Sequence, residues 1–330
     1  MNHSQVPPPV TMVLEQAGAW LPARMEAVET RLRELVVAHG STLATDAGGT
    51  LEAGGKRLRP ILVLLCAGPH AGAGAIRAAT AVELVHMATL VHDDVLDAAP
   101  LRRGRPTVVA RSGRRRATAT GDLLFSRAFA ELAAEASERQ VELLSEASVA
   151  LALGELAQRR DQFDISVDSE RYLERCVLKT ARLFECACVI GGAGADGMAS
   201  REEMDALAEF GRQLGLAFQL LDDVLDVSGP SERTGKARGT DLLDGTVTLP
   251  LIVGIERDGE LRKIQLDGLD SDAAEAICDR IAATGALEEV KARARERVEI
   301  AKARIAGSAL PAETRKLLDV VADGVVERYS

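Results

Sequence analysis

HMATLVHDDVLD, residues 86–97, closes a long apolar segment with the letters DDVLD, and the same five letters return at residues 222–226 after the apolar segment 214–221. Both segments have the length and apolar content of buried helices. Residues i and i+4 of a helix share a face, which places Asp93 beside Asp97 and Asp222 beside Asp226. The repeated pentapeptide therefore predicts two acidic clusters, each on an apolar helix.

Such clusters require a positive counter-charge. Carboxylates this close repel one another, and burial among apolar side chains raises their pKa values. Hard oxygen ligands suit Mg²⁺, which keeps several waters and usually completes its coordination shell with substrate phosphates. A single DDVLD is best explained as a solvated acidic turn, whereas two copies in apolar surroundings favour metal binding. We therefore expect Mg²⁺ to hold a diphosphate between the two helices.

The composition indicates the fold class. The chain has 330 residues, of which 47% are hydrophobic and only 3% aromatic, and the strong helix formers Ala, Leu, Glu and Arg are abundant. Gly and Pro separate the apolar segments, and no change of composition resembles a linker. We expect an all-α protein in which residues 1–330 form a single domain of about a dozen helices.

The same composition argues against several classes of function. The formal net charge of -10 argues against a nucleic-acid partner, so Arg111 and Arg114–Arg116 are interpreted as a solvated surface loop. The five cysteines lack CxxC spacing, which is typical of small core residues in a reducing compartment. The sequence shows no signal-peptide pattern and no run of ~20 apolar residues. We therefore expect a cytoplasmic protein without a transmembrane segment.

Basic residues accompany both acidic motifs. Lys56 and Arg59 lie in GGKRLRP at a predicted helix start, where unpaired N–H groups and the helix dipole favour an anion. Arg102 and Arg103 follow the first motif closely enough to turn back over a bound anion, and His86 precedes it by about two helical turns. A solvated helix start, a surface turn and a core histidine are the simpler explanations for these residues taken one by one.

Four further polar residues complete the set. Lys179 and Thr180 interrupt an apolar helix, Gln219 precedes the second motif, and Lys236 follows it. Each is a weak signal alone, because a helical lysine usually extends to water. Together the basic residues suffice for two diphosphates, and no arrangement for covalent catalysis accompanies them. Ionisation of an allylic diphosphate is the reaction class that needs these groups and no protein nucleophile.

In order and approximate spacing these residues resemble the trans-isoprenyl diphosphate synthases, the polyprenyl synthetase family. The matching segments cover most of residues 51–250: GGKRLRP from residue 54, HMATLVHDDVLD from 86, RRGRPT from 102, GD at 121, GEL at 154, KTARLF from 179, GLAFQLLDDVLD from 215 and GKARGTDL from 235. The resemblance implies an isoprenoid synthase-type helical bundle with a central cavity, usually assembled as a homodimer.

The resemblance also implies a role for each matching residue. Three Mg²⁺ ions per active site are expected on Asp93, Asp97 and Asp222, together with Asp94, Asp223 and Asp226. Isopentenyl diphosphate is expected on Lys56, Arg59, His86 and Arg103. The allylic diphosphate is expected on Arg102, Lys179, Thr180, Gln219 and Lys236. The residues implied to be catalytic are Asp93, Asp97, Asp222 and Lys179.

One position departs from the family pattern. Relatives often carry a lysine in the segment GKxTLP, where this chain has Thr246. The missing positive charge predicts weaker binding of the allylic diphosphate, or compensation by Arg238.

The expected reaction is ionisation of the allylic diphosphate, attack of isopentenyl diphosphate on the allylic cation, and loss of a proton. Product length is expected to depend on residues one, two and three helical turns before Asp93, since a turn rises ~5.4 Å, about one isoprene unit. These residues are Thr89, Ala88, Val85 and Val82, and none is aromatic. We therefore expect a product longer than geranylgeranyl diphosphate, unless Phe125 or Phe129 on a facing helix closes the channel.

Four alternative functions differ from the expected one in their sequence features. A farnesyl or geranylgeranyl diphosphate synthase of the same family differs only in product length. A class I terpene cyclase typically has an Asn/Asp, Ser/Thr, Glu pattern in place of the second DDVLD. A non-catalytic partner subunit is expected to lose acidic or basic site residues, which are present here. A carboxylate-bridged di-iron bundle requires Glu-x-x-His pairs, which the sequence lacks.

Overall fold

The computed structural model describes residues 8–38, 40–52, 54–194, 199–229 and 238–327. Within these ranges the chain forms sixteen α-helices, one π-helical turn, one 3₁₀ turn and one short hairpin, which confirms the all-α class. The first ten helices are α1 Pro8–Gln16, α2 Trp20–Val37, α3 Ser41–Glu52, α4 Leu58–Ala67, α5 Ala73–Leu96, α6 Val108–Ser112, α7 Arg114–Ala133, α8 Glu138–Arg160, α9 Ser169–Cys176 and α10 Arg182–Ala193. The remaining helices are α11 Arg201–Ser228, α12 Thr240–Leu243, α13 Leu249–Arg257, α14 Ser271–Ala283, α15 Ala286–Ala306 and α16 Ala312–Glu327.

Helix α5, which ends in the first aspartate motif, lies at the centre of the fold. It packs against α2, α4, α7 and α10, and its buried residues are distributed around the whole helix. The helix has 24 residues, and an 18-residue stretch within it has a mean hydropathy of 1.3, which satisfies the length and composition of a membrane span, contrary to the expectation that no run would approach one. Of that stretch 67% is buried inside the protein, and burial against several neighbouring helices explains its apolar composition.

Helix α11 carries the second aspartate motif in its last two turns. It begins at a capping box, in which Ser200 and Glu203 satisfy each other's backbone N–H groups, and it packs against α10 and α15. Helix α15 is rich in alternating Arg and Glu, yet it is not simply a surface helix. Val290, Ala294 and Val298 are buried, and α15 supports the helix that carries the second motif.

A π-helical turn, Val177–Ala181, joins α9 to α10 and packs between α8 and α11. Two glycines permit this close approach. A Cβ atom on Gly154 of α8 would lie 2.5 Å from the backbone N of Lys179, and one on Gly215 of α11 would lie 2.7 Å from the Cα of Ala181. The turn therefore holds Lys179 and Thr180 at a fixed position between two helices.

A two-residue hairpin follows the first motif, although helical periodicity predicted no strand. Strand β1, Leu101–Arg102, pairs with β2, Arg105–Pro106, across Arg103 and Gly104. Both turn residues have positive φ, 52° and 73°, as a type I′ turn requires. The hairpin returns the chain towards the end of α5 and so places Arg102 beside Asp94 and Arg103 near His86.

The basic residues interpreted as a solvated surface loop are helical instead, since Arg111 lies in α6 and Arg114–Arg116 form the first turn of α7. Arg116 donates through Nε to a carboxylate oxygen of Asp46 at 2.5 Å, and Ser112 donates to its other oxygen at 2.8 Å. Asp46 is buried, so this ion pair ties α3 to the start of α7. At least one of the four arginines is therefore a structural residue.

Candidate active site

The three carboxylates of the first motif differ in their surroundings. Asp94 is buried and accepts a hydrogen bond from Nε of Arg102 at 2.7 Å. Asp97 caps the end of α5, where its backbone N donates to the carbonyl of Asp93, and its carboxylate accepts from Nη2 of Arg159 at 2.5 Å. Desolvation raises the pKa of Asp93 to about 6, although Lys179 acts in the opposite direction. Asp94 and Asp97 are therefore each paired with an arginine, whereas burial makes Asp93 harder to ionise.

Two residues that the sequence analysis missed link this motif to Lys179. Glu155, on α8, accepts from Nε of Arg159 at 2.7 Å through one oxygen and from Nζ of Lys179 through the other. Burial opposes ionisation of Glu155, but Lys179 and Arg159 together hold its pKa below the ordinary value. Glu155 follows Gly154 in the quoted segment GEL, which was an available signal, whereas Arg159 carries no local pattern.

The second motif is arranged differently. Asp222 is exposed, and Asp226 accepts a hydrogen bond from the backbone N of Asp241 at 3.2 Å. Asp223 is buried, and its two oxygens accept from Nε2 of Gln219 at 2.7 Å and from the hydroxyl of Tyr172 at 2.5 Å. Burial and the nearby Asp241 raise the pKa of Asp223. Asp223 is therefore less available to a metal than the sequence analysis assumed.

The π-helical turn connects the two motifs. Lys179 lies close enough to Asp93 to lower its pKa, while the hydroxyl of the adjacent Thr180 donates to Oε1 of Gln219 at 2.7 Å. Gln219 in turn donates to Asp223. Of two consecutive residues in this turn, Lys179 thus lies near the first cluster and Thr180 is joined to the second through Gln219, so the turn lies between the two clusters.

A group of cations surrounds His86. Desolvation, followed by the charges of Arg59, Arg103, Arg102 and Arg57, lowers the pKa of His86 well below its ordinary value. The imidazole is therefore neutral near pH 7, although it lies in a positively charged region. Lys56, half-buried, immediately precedes Arg57 in this region. The arrangement suits a multiply charged anion such as a diphosphate.

Arg57 and Arg59 have different environments. Arg57 is buried and donates to Glu29 at 2.6 Å and to Glu83 at 2.8 Å, so its charge is already paired. Arg59 lies over the ring of Phe184, 4.4 Å from its centroid, and burial lowers its pKa to about 10. Within the described ranges the buried Nε of Arg59 has no hydrogen-bond partner. Arg59 thus keeps a buried donor that a ligand could use, while Arg57 supports the loop.

Two predictions about the loop after α11 have different outcomes. Lys236 lies outside the described residues. Arg238 donates through Nε to the carbonyl of Val227 at 2.5 Å and through Nη1 to Asp279 at 2.6 Å. Its guanidinium is therefore engaged away from the carboxylates, and this geometry does not support compensation for Thr246.

Asp241 and Tyr172 are two further residues of the candidate site that were not predicted from the sequence. Asp241 stands in the quoted segment GKARGTDL, so its motif was visible while its position beside Asp226 was not. Tyr172 precedes Lys179 by two helical turns and carries no motif of its own. Its interaction with Asp223 depends on how α9 packs against α11, which only the folded chain shows.

The carboxylates fit Mg²⁺, although within the described residues no three His, Cys, Asp or Glu side chains converge as a ready-made metal site. Mg²⁺ usually binds through one or two carboxylates and takes its other ligands from water and substrate phosphates. Asp93 and Asp97 at the end of α5, and Asp222 and Asp226 on α11, offer only hard oxygen ligands. This donor set suits an ion that is held jointly by protein and diphosphate.

Comparisons with known proteins agree with this geometry. The family model described as polyprenyl synthetase matches residues 42–282. Heptaprenyl diphosphate synthase component 2 of Geobacillus stearothermophilus is 38% identical over 281 residues, which are 84% of this chain and 87% of that protein. Octaprenyl diphosphate synthase of Escherichia coli strain K12 is 35% identical over 262 residues, 77% of this chain and 80% of that protein. The crystal structure of polyprenyl synthase from Caulobacter crescentus CB15, complexed with calcium and isoprenyl diphosphate, superposes with a TM-score of 0.89 at 33% identity and covers 96% of this chain and 98% of that chain. The chain therefore belongs to the polyprenyl synthetase family.

Proposed function

We propose that this protein condenses an allylic diphosphate with isopentenyl diphosphate to give an all-trans polyprenyl diphosphate longer than geranylgeranyl diphosphate. The observation that carries this proposal is the π-helical turn, whose Lys179 lies near Asp93 of the first cluster and whose Thr180 is joined through Gln219 to Asp223 of the second. The cations around His86 lie near the first aspartate motif, since Arg102 both pairs with Asp94 of that motif and lowers the pKa of His86. Two diphosphates can therefore bind side by side.

The two substrates are assigned to different parts of this site. Asp93, Asp97, Asp222 and Asp226 would hold Mg²⁺, three ions per active site, which stabilises negative charge on the leaving diphosphate. Lys179 and Arg102 add positive charge near the allylic diphosphate, and the Thr180–Gln219 hydrogen bond orients polar atoms beside it. Lys56, Arg59, Arg103 and neutral His86 orient isopentenyl diphosphate.

The proposed reaction breaks the allylic C–O bond and forms one C–C bond. The double bond of isopentenyl diphosphate supplies the electron pair, and the proton lost afterwards passes to the departing diphosphate. The apolar residues of α5 and α11 exclude water from the cation, which water would otherwise capture. Positioning and charge stabilisation are sufficient for this reaction, so no protein nucleophile is required.

Small side chains below the first motif support the longer product. Ala88, Val85 and Val82 are buried, and the hydroxyl of Thr89 donates to the carbonyl of His86 at 2.8 Å. Phe125 stacks on His92 with ring centroids 5.8 Å apart, so its ring lies at the level of the motif. The relatives from G. stearothermophilus and E. coli are named as heptaprenyl and octaprenyl synthases, in line with a long product. Geranylgeranyl or farnesyl diphosphate synthesis is the alternative.

The test is an assay of the purified chain with isopentenyl diphosphate, Mg²⁺ and each of several allylic primers, followed by mass analysis of the extracted product. We expect Asp93→Ala and Asp222→Ala to lose nearly all turnover, and Asp267→Ala, at an exposed carboxylate outside the site, to retain it. Wild-type turnover in either motif variant would contradict the mechanism. A product that stops at farnesyl or geranylgeranyl would refute the proposed length. Turnover only after addition of a second protein would show that a partner subunit is needed, as the name component 2 suggests for the G. stearothermophilus relative.

We also propose a homodimer that works in the cytoplasm. Helix α8 exposes Val149, Leu153 and Leu156, a row of apolar side chains suited to contact with a second copy. The five cysteines are all buried with free thiols, which supports a reducing compartment.

A further inference from the structure

Arg159, on α8, joins two carboxylates that lie on different helices. Its Nη2 donates to Asp97 at the end of α5 at 2.5 Å, and its Nε donates to Glu155 at 2.7 Å. Glu155 is held in turn by Lys179 from the π-helical turn. Glu155 therefore anchors the guanidinium through Nε, while Nη2 contacts the first motif.

This contact places Arg159 in competition with a metal. Asp97 is one of the carboxylates proposed to bind Mg²⁺, and it accepts a hydrogen bond from a group that always carries a positive charge. Both side chains are 27% exposed, so the pair borders solvent and can separate at modest cost. When a metal takes Asp97, the contact from Glu155 still holds Arg159 at the edge of the site.

We propose that Arg159 is a tethered counter-cation that neutralises Asp97 until Mg²⁺ binds and then donates its freed Nη groups to the metal-bound diphosphate. This inference rests on the proposed function and adds a residue to its allylic diphosphate site. Guanidinium suits both states, because its forked donors match carboxylate and phosphate oxygens equally well. The exchange gives the site a positive group whether or not the metal is present.

The proposal predicts effects of opposite sign in two binding experiments. For Arg159→Met without substrate, the half-saturating Mg²⁺ concentration should fall, by up to about fivefold. The limit follows because the competing ion pair that is lost is worth at most about 1 kcal/mol. At saturating Mg²⁺, the affinity of the same variant for inorganic diphosphate should fall about tenfold, because a charge-assisted hydrogen bond is lost. Isothermal titration of the full-length protein measures both.

Two further variants separate this role from general effects. Arg160→Met removes the neighbouring charge, which is 68% exposed and pairs with Asp161, and both affinities should stay within about twofold of the wild type. Arg159→Lys keeps the charge but cannot span Glu155 and Asp97 together, so Mg²⁺ binding should return towards wild type while diphosphate binding stays weak. The lysine variant also provides the answer if circular dichroism shows that the methionine variant is unfolded.

Unchanged affinities in Arg159→Met, or weakening of both, would overturn the proposal. An equal effect in Arg160→Met would overturn it too, because long-range charge would then be the cause. Turnover of the wild-type protein with isoprenoid substrates is measured separately. Absence of that turnover would refute the proposed function, whereas the two titrations test Arg159 without any chemical step.

Discussion

Tyr172 is the buried residue that secures the second aspartate motif. Its hydroxyl donates to Asp223, and the guanidinium of Arg175 lies 5.5 Å from the centroid of its ring. Arg175 also donates to the carbonyl of Val247 at 2.5 Å, in the segment that contains Thr246. Tyr172 thus connects α9, α11 and the loop before α13 without itself lying in either motif.

Tyr172→Phe should lower kcat about tenfold and leave the KM for isopentenyl diphosphate nearly unchanged. The buried Asp223 then loses a donor, at a cost of about 1–3 kcal/mol, and Gln219 is no longer held in one position. Steady-state kinetics measure the two parameters. The control is a double-mutant cycle with Asp223→Asn: if the hydroxyl acts through Asp223, the double variant is no slower than Asp223→Asn alone, and additive losses would contradict this role.

Asp93 makes metal binding sensitive to pH. Burial raises its pKa to about 6, so below that pH the metal-free carboxyl carries a proton that Mg²⁺ must displace. Affinity for Mg²⁺ should therefore fall as pH drops through 6, by up to about tenfold per pH unit for one proton. Since the pKa of Asp93 is raised in the folded state, its ionisation also destabilises the metal-free protein as pH rises through the same range.

Isothermal titration with Mg²⁺ at about pH 5 and about pH 7.5 measures this dependence. Asp93→Asn serves as the control, because its side chain carries no titrating proton. This variant should bind Mg²⁺ weakly at both pH values, and the difference in affinity between the two pH values should be much smaller than in the wild type. Equal pH dependence in the wild type and in Asp93→Asn would assign the effect to other carboxylates.

At the scale of elements, the π-helical turn depends on the absence of a side chain at Gly154. A Cβ atom there would lie 2.5 Å from the backbone N and 2.8 Å from the Cα of Lys179, so backbone would have to move. Gly154→Ala should reduce the free energy of unfolding by about 1–3 kcal/mol and lower kcat, because Lys179 is displaced. Urea denaturation and turnover measure the two effects.

The matched control is Gly74→Ala in α5, where nothing lies within 4 Å of the added Cβ. Alanine is the better helix former by up to about 1 kcal/mol, so this variant should be as stable as the wild type or more stable. Full stability and full activity in Gly154→Ala would show that α8 and the turn can separate without consequence for the site.

At the scale of the whole molecule, α8 presents a row of exposed apolar side chains among the residues that the structure describes. Val149, Leu153 and Leu156 are 57%, 51% and 66% exposed, and their spacing places them on one face of the helix. If this face joins two copies, light scattering coupled to gel filtration should give the mass of a dimer. Leu153→Glu should shift it towards the monomer, because dimerisation would bury an unpaired charge.

Ile300→Glu provides the comparison, since Ile300 is an exposed apolar residue on α15, away from that row. It should leave the dimer intact. A monomeric wild type, or equal dissociation in both variants, would remove α8 as the interface.

Local patterns were sufficient to predict the all-α class and the two aspartate motifs, whereas the family resemblance was needed to group Lys56, Arg59 and Arg103 with His86. Apolar spacing and short motifs depend on neighbours within a few residues, so the sequence displays them directly. The family model matches residues 42–282, a range that includes the segments on which the resemblance rests.

The tertiary structure decided the contacts that connect those motifs. Tyr172 lies 51 residues from Asp223 and Arg159 lies 62 residues from Asp97, and no local pattern relates such distant positions. The π-helical form of residues 177–181 and the support that α15 gives to α11 likewise result from packing between helices. The sequence alone determined which groups the site contains, whereas the folded chain determined which of them are paired, because pairing depends on how separate helices come together.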